Sequence, residues 1–174
     1  MRFRHFPLHP ETPDEGQTLE ELFAGRNIDI PAAQQRMTGL MQDEGLPCGQ
    51  RTHTYNSRMA QELAAWADTQ PGGETIHNEL FHAYFVDGQN LATKEVLLAV
   101  AEQAGLSRES AAEVLDGRLF REAVDADWEL SRQYGITGVP TFVADGRGVN
   151  GAQPYEVLEQ LVTTAGASVL NSQN

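Results

Sequence analysis

The feature that most constrains this chain is a proline at the entrance to a predicted β-strand, in the segment YGITGVPTF from Tyr134 to Phe142. Proline has no N–H to donate to a sheet ladder, so within sheets it is confined to edge strands, bulges and the first residues of strands. Cis peptide bonds are nearly confined to X-Pro sequences. We therefore predict a cis bond between Val139 and Pro140, followed by a strand rich in β-branched residues.

Upstream of this segment, apolar residues recur at helical spacing in blocks that glycine and proline separate. The blocks predict seven helices: Thr18 to Gly25, Pro31 to about Glu44, one capped by Asn56 or Ser57, Glu74 to Val86, one from Thr93 to Gly105, and two in the stretch from Ser107 to Arg132. Downstream of Pro140, a strand, a turn at Gly146 and Gly148 and an amphipathic helix complete an α/β pattern.

Several segments resemble one known family in their order and spacing. PTFVADGRGVNGAQPYEVLEQLV follows the cis-proline-like segment, and FPLHPETPDEG, TYNSRMAQELAAWA, LFHAYF and EVLLAVAEQAGL precede it. Together they resemble the DsbA-like oxidoreductases of thioredoxin fold, in the FrnE-like branch. The resemblance implies a single domain over 1–174, with an all-helical insertion at about 18–134 and a thioredoxin-like remainder at about 1–17 and 135–168.

The family's redox pair, Cys-x-x-Cys, lies on a strand-to-helix turn that precedes its FPLHP-like segment. Here that segment follows only Met1 to His5, and Arg2 to Phe6 resembles the second strand of the family's domain. We therefore expect the first strand, the catalytic turn and the first helix to be missing from this chain, which we expect to be a shortened version of a longer protein. Ser172 to Asn174 is expected to be a frayed tail.

The resemblance implies thiol–disulfide exchange by the complete protein. In that chemistry a thiolate at a helix N-terminus attacks a substrate disulfide, and the cis-proline loop offers backbone groups to the substrate. Val139, Pro140 and Thr141 would then contact a protein or small-molecule thiol or disulfide, with glutathione among the candidates. No catalytic residue is assigned within the chain itself.

Two alternatives stay open from the sequence. Asn56, in the segment Asn56-Ser57-Arg58, resembles part of the glutathione and substrate site of 2-hydroxychromene-2-carboxylate isomerases, which use a serine where redox members have the first cysteine. The simpler interpretation of Asn56 is a helix cap. A non-catalytic thioredoxin-like binding protein is the second alternative, and an exposed sheet edge would make a homodimer plausible.

Composition limits the partners and the compartment. With 25 acidic against 12 basic residues and a formal net charge of −13, the chain should repel nucleic acids and anionic membranes. The sequence contains no apolar run long enough to span a membrane. The single cysteine, Cys48, suits a reducing compartment, so we predict a cytoplasmic protein.

Other candidate sites are weak in the sequence. Cys48 lies on a predicted loop, where Arg51 or His53 could lower its pKa and make it a redox-sensitive thiol, although a structural role is the simpler interpretation. His77 and His82 lack the spacing of paired metal ligands on a helix. The acidic residues, Asp127 included, are predicted to lie on solvated helix faces. We expect no metal and no cofactor.

Overall fold

The computed structural model describes residues 2–167, so the predicted frayed tail at Ser172 to Asn174 lies outside the described residues. Its elements confirm the predicted order, in which a block of helices is followed by a β-hairpin and a last helix. In chain order they are β1 (Gln17–Thr18), α1 (Leu19–Leu22), α2 (Ile30–Asp43), β2 (His53–Thr54), α3 (Arg58–Ala67), α4 (Thr75–Phe85), α5 (Lys94–Gln103), α6 (Arg108–Gly117), α7 (Arg121–Gln133), β3 (Thr141–Ala144), β4 (Arg147–Asn150) and α8 (Tyr155–Thr164).

Contacts within the chain divide it into two compact units. The first, the helical unit, is His9–Asp125, and the second, the hairpin unit, takes in residues 2–8 and 126–167. In the helical unit, α3, α4, α5 and α6 pack around a continuous apolar core whose most buried members include Leu63, Ile76 and Leu97. The predicted domain boundaries near residues 18 and 134 stay a prediction.

Local signals explain where several helices begin. Ser107 caps α6 by accepting a hydrogen bond from the Ser110 N–H, as predicted. Thr18 and Glu21 form a capping box at α1, and Asp29 accepts from the Ala32 N–H at the start of α2. These caps satisfy N–H groups that the first turn of a helix leaves without partners. No helix among residues 2–167 has the length and apolar character needed to cross a membrane.

The hairpin unit contains the antiparallel pair β3 and β4, against which α8 packs. The turn residues Asp145 and Gly146 have φ values of 49° and 71°. Two positive φ values at the centre of a two-residue loop are typical of a type I′ turn, whose twist matches that of the strands. The turn predicted at Gly146 and Gly148 is therefore confirmed at Gly146, whereas Gly148 lies in β4 and pairs with Val143.

The predicted strand at Arg2 to Phe6 is wrong. Residues 2–7 have no regular secondary structure, and the backbone N–H of His5 donates to the Asp127 carboxylate at 3.1 Å instead of to a neighbouring strand. A β-strand is stable only where its backbone N–H and C=O groups bond to a neighbouring strand. Here the Asp127 carboxylate, not a neighbouring strand, accepts the His5 N–H. The structure also contains the short pair β1 and β2. β2 lies in a predicted loop, and β1 takes in Thr18, which was predicted to begin a helix.

Candidate functional site

The candidate site is the segment before β3, where the predicted substrate-binding residues lie. The Val139–Pro140 peptide is cis. Thr141 donates its hydroxyl to the Gly138 carbonyl at 2.6 Å, and the Asn150 amide donates to the Gly138 carbonyl at 3.2 Å and to Thr141 Oγ1 at 2.8 Å. The Thr141 bond ties the segment to the start of β3, and the two Asn150 bonds tie it to the end of β4, so both strands of the hairpin hold its shape.

Val139 and Pro140 are both exposed in this segment, and Val139 is 50% open to solvent. Within residues 2–167, no hydrogen bond uses its backbone N–H or carbonyl, whereas the neighbouring Pro140 carbonyl accepts from the Gly151 N–H at 2.7 Å. An exposed residue with a free donor and a free acceptor beside a strand can pair with an extended peptide. The segment thus has the chemistry of a peptide-docking edge.

Asn56, the fourth predicted substrate-binding residue, lies in the helical unit and its side chain is already committed to backbone groups. Its Nδ2 donates to the Thr12 carbonyl at 2.8 Å and more weakly to the Pro10 carbonyl at 3.4 Å. Its Oδ1 accepts from the N–H of Arg58, the first residue of α3, at 2.9 Å. The cap residue of α3 is Ser57, so Asn56 supports the start of the helix from one position before the cap, and a substrate-binding role for Asn56 stays a prediction.

A buried carboxylate on α3 links this helix to the end of α6, and sequence reasoning missed it. Glu62 is fully buried and accepts from Arg58 Nε at 2.6 Å and from Arg118 Nε and Nη2 at 2.7 and 2.6 Å. Burial alone would raise the pKa of Glu62. The hydrogen bonds from Arg118 and Arg58 lower it by a larger amount, so its pKa lies below the ordinary value. The signal in the sequence is Arg58 four residues before an acid on an otherwise apolar helix.

A second buried carboxylate corrects the prediction that Asp127 is solvated. Asp127 is 7% exposed and accepts from Arg4 Nη1 at 2.7 Å and from the His5 backbone at 3.1 Å, with His5 Nδ1 also 3.1 Å away. A buried charge needs such partners because desolvation is otherwise costly. This contact fixes the N-terminal segment to α7 within the hairpin unit.

Cys48 and a polar pocket complete the list of candidate sites. Cys48 is half-buried, and its Sγ lies 3.5 Å from the Gly49 carbonyl and 4.0 Å from Thr38 Oγ1. The residues just after Cys48 contribute to a pocket in the helical unit, whose lining includes Arg51, His53 and Tyr84. Among residues 2–167, no cluster of three or more histidine, cysteine or acidic side chains could hold a metal ion.

Comparison with known proteins identifies the family. A family model described as the DSBA-like thioredoxin domain matches residues 1–163. The chain belongs to this family. The match confirms the DsbA-like thioredoxin fold that the sequence predicted, whereas the FrnE-like branch stays a prediction.

Solved structures agree with this membership. The crystal structure of a probable DsbA oxidoreductase from Streptomyces coelicolor has a TM-score of 0.85 and 28% identity, over 98% of this chain and 77% of that one. A 2-hydroxychromene-2-carboxylate isomerase has a TM-score of 0.64 and 21% identity, over 79% of this chain and 66% of that one. At that identity, the isomerase shows similarity of fold alone.

Two curated relatives match part of this DSBA-like domain. The uncharacterized protein YwbO of Bacillus subtilis is 28% identical over 115 residues, which make up 64% of this chain and 56% of that protein. The ClpXP adapter protein SpxH of Halalkalibacterium halodurans is 25% identical over 118 residues, 64% of this chain and 38% of that protein. The matched region thus spans about half or less of the length of these relatives.

Proposed function

We propose that this domain serves thiol–disulfide exchange and that the segment Val139–Thr141 contacts the substrate. The observation that carries the proposal is the exposed Val139, whose backbone N–H and carbonyl make no hydrogen bond within residues 2–167. Membership of the DSBA-like family and similarity to a probable DsbA oxidoreductase support the choice of reaction. The substrate would be a protein or small-molecule thiol or disulfide, with glutathione among the small candidates.

The reaction needs two cysteines, whereas these 174 residues contain only Cys48. A thiolate attacks one sulfur of the substrate disulfide, the other sulfur leaves as a thiolate, and a mixed disulfide results. A second cysteine then attacks the mixed disulfide, so the protein becomes oxidised and the substrate reduced. In our proposal this pair is encoded outside these residues, and Val139 holds the substrate chain by strand-like pairing.

A binding role is the second candidate. The lone cysteine favours it, because a thioredoxin-like domain without a redox pair can still use an exposed backbone edge to bind an extended segment. One relative of this chain is an adapter protein by name. The isomerase alternative has the support of fold similarity alone.

Sequencing the coding region upstream of Met1 separates the three functions. Roughly 40 codons are enough to encode a strand, a turn and a helix of ordinary length. A Cys-x-x-Cys turn in frame supports the oxidoreductase, and a serine at the first cysteine position supports the isomerase. An in-frame stop with neither contradicts catalysis by a redox pair and supports binding.

A pair of matched variants tests the role of Val139. Val139 is 50% exposed in the candidate segment, and Val162 is 45% exposed on α8, so Val139→Asp and Val162→Asp add the same charge at equally accessible valines. With the redox pair present, we expect Val139→Asp to lower kcat/KM for a peptide mixed disulfide by roughly tenfold or more, which is about 1.4 kcal/mol. Equal effects of the two variants would contradict substrate contact at Val139.

A further inference from the structure

The arginine that lines the pocket of the helical unit stands apart from the other arginines. Five arginines of residues 2–167 make no ion pair with a carboxylate: Arg2, Arg26, Arg36, Arg51 and Arg147. Four of them are exposed to solvent, and Arg51 alone is half-buried. In a chain with a formal net charge of −13, a half-buried guanidinium without a carboxylate leaves a site for an anion.

Arg51 is held in place by its neighbours. Its Nε donates to the His53 carbonyl at 3.3 Å, and its guanidinium carbon lies 5.5 Å from the centre of the Tyr84 ring. A guanidinium that stacks on an aromatic ring and uses Nε in this way keeps its remaining N–H groups in a fixed fork. A carboxylate can bind such a fork through both of its oxygens.

The pocket that Arg51 lines has a volume of about 240 Å³, with Thr52, His53, Tyr55, Tyr84 and Asp87 among its other lining residues. The Tyr55 and His53 rings lie nearly parallel, with centres 6.0 Å apart, and the Tyr84 ring meets Tyr55 edge-on at 6.4 Å. The lining is therefore mixed, with the His53, Tyr55 and Tyr84 rings beside the polar side chains of Gln50, Arg51, Thr52 and Asp87. Polar groups of this kind fix the orientation of a ligand in small-molecule sites, and this volume is below the usual range for drug-sized ligands.

Two glycines outside the pocket pack closely against its surroundings. A Cβ on Gly16 would lie 2.4 Å from Cδ1 of Tyr55, and a Cβ on Gly49 would lie 2.1 Å from the Val86 carbonyl oxygen. Only glycine permits either approach. The Gly16 contact holds the ring of Tyr55, which lines the pocket.

The surrounding charges favour a monoanion. Burial lowers the pKa of His9, and the charges of Arg51 and Arg26 lower it further, so Arg51 acts as a nearby positive charge on His9. Asp87 also lines the pocket, and its carboxylate is 3.3 Å from His82 Nδ1. A dianion such as phosphate would be repelled by Asp87 more strongly than a carboxylate would.

We propose that this pocket binds the carboxylate of a small organic acid or of a peptide C-terminus, with Arg51 as the residue that binds the carboxylate and the tyrosine rings as the apolar walls. The proposal is independent of the redox role of the family. It concerns a site that lies wholly within the helical unit.

The test is a titration of the ¹⁵N-labelled 174-residue chain with sodium benzoate, at an ionic strength held constant with sodium chloride. We expect saturable chemical-shift changes confined to residues 50–55 and 84–88. Arg51→Gln should weaken binding by roughly tenfold or more, whereas Arg36→Gln, at an exposed and unpaired arginine, should leave the dissociation constant within about twofold. A peptide with a free C-terminus, compared with its amide, distinguishes the two sources of the carboxylate.

Three results would overturn the proposal. The first is an equal response to chloride, the second is benzoate binding that Arg51→Gln leaves unchanged, and the third is inorganic phosphate binding more tightly than benzoate. Circular dichroism of each variant checks that it folds. If Arg51→Gln does not fold, Arg51→Lys replaces it, because lysine keeps the charge and loses the fork, so binding should still weaken. If neither variant folds, the benzoate and chloride titrations of the unchanged chain decide.

Discussion

Replacing Glu62 with glutamine should destabilise the helical unit far more than the same change at an exposed glutamate. Glu62 is fully buried and accepts three hydrogen bonds of 2.6 to 2.7 Å from two arginines. Glutamine has nearly the same shape, but its NH2 group must face an arginine donor. Glu62→Gln therefore removes the charge and leaves one side-chain oxygen at position 62 to accept from Arg58 and Arg118.

The size of the effect follows from how exposed the two arginines are. Removing one partner of a fully buried ion pair costs about 3–5 kcal/mol. Arg118 is 42% exposed at its side chain, and Arg58 keeps Asp125 at 2.7 Å, so both can recover part of the loss. We therefore expect a loss near the lower limit, about 3 kcal/mol. For a chain of this size that corresponds to a fall in Tm of about 6–12 °C.

The effect should depend on pH in a defined direction. The pKa of Glu62 is below its ordinary value of 4.5, so the ionised carboxylate stabilises the folded state. A lowered folded-state pKa contributes stability that is complete above the unfolded-state pKa and is lost as the pH falls through the folded-state value. The difference between the unchanged chain and Glu62→Gln should thus be largest near neutral pH and shrink in acid.

Urea unfolding followed by tryptophan fluorescence measures the change, because Trp66 is 6% exposed on the same helix as Glu62. The matched control is Glu95→Gln. Glu95 is 73% exposed and pairs with Arg108 at 2.5 Å, so its loss should cost less than about 1 kcal/mol. The reasoning is refuted if Glu62→Gln lowers the unfolding free energy no more than Glu95→Gln does, or if its effect grows as the pH falls.

Two further stability predictions use glycine and cap geometry. Gly49→Ala should destabilise the chain, since its Cβ would lie 2.1 Å from the Val86 carbonyl oxygen, whereas Gly39→Ala on α2 meets nothing within 4 Å and should stabilise by about 0.5–1 kcal/mol. Urea unfolding distinguishes them, and equal signs would contradict the contact argument. Ser107→Ala removes the cap of α6 and should cost about 1 kcal/mol, while Ser107→Asp should retain most of the stability in the same measurement.

The sequence predicted most of the helices because their signals are local. Ser107 at the start of α6 and Pro31 in the first turn of α2 act within one turn of the chain, and apolar spacing marked the core face of α3. Asp145-Gly146 likewise forms its turn from residues that tolerate a positive φ. Such signals need no knowledge of distant residues.

The sites were less predictable because they depend on contacts between distant segments. Arg51 and Tyr84 line one pocket although 33 positions separate them in the sequence. The substrate-binding roles predicted for Val139, Pro140, Thr141 and Asn56 came from family resemblance, and no local pattern could establish them. The structure shows which of their polar groups already form hydrogen bonds within the chain.

The sequence by itself determined the family, the helical block and the Pro140 turn, since these follow from motifs and short-range periodicity. Only the tertiary structure decided that residues 2–7 are not a strand, that Asp127 is buried, and that Arg118 rather than Gly117 has a positive φ, of 51°, at the end of α6. Each of these is decided by a partner that is far away in sequence. For Arg118, the partner is Glu62, and ion pairing with a buried carboxylate offsets a backbone conformation that arginine otherwise seldom adopts.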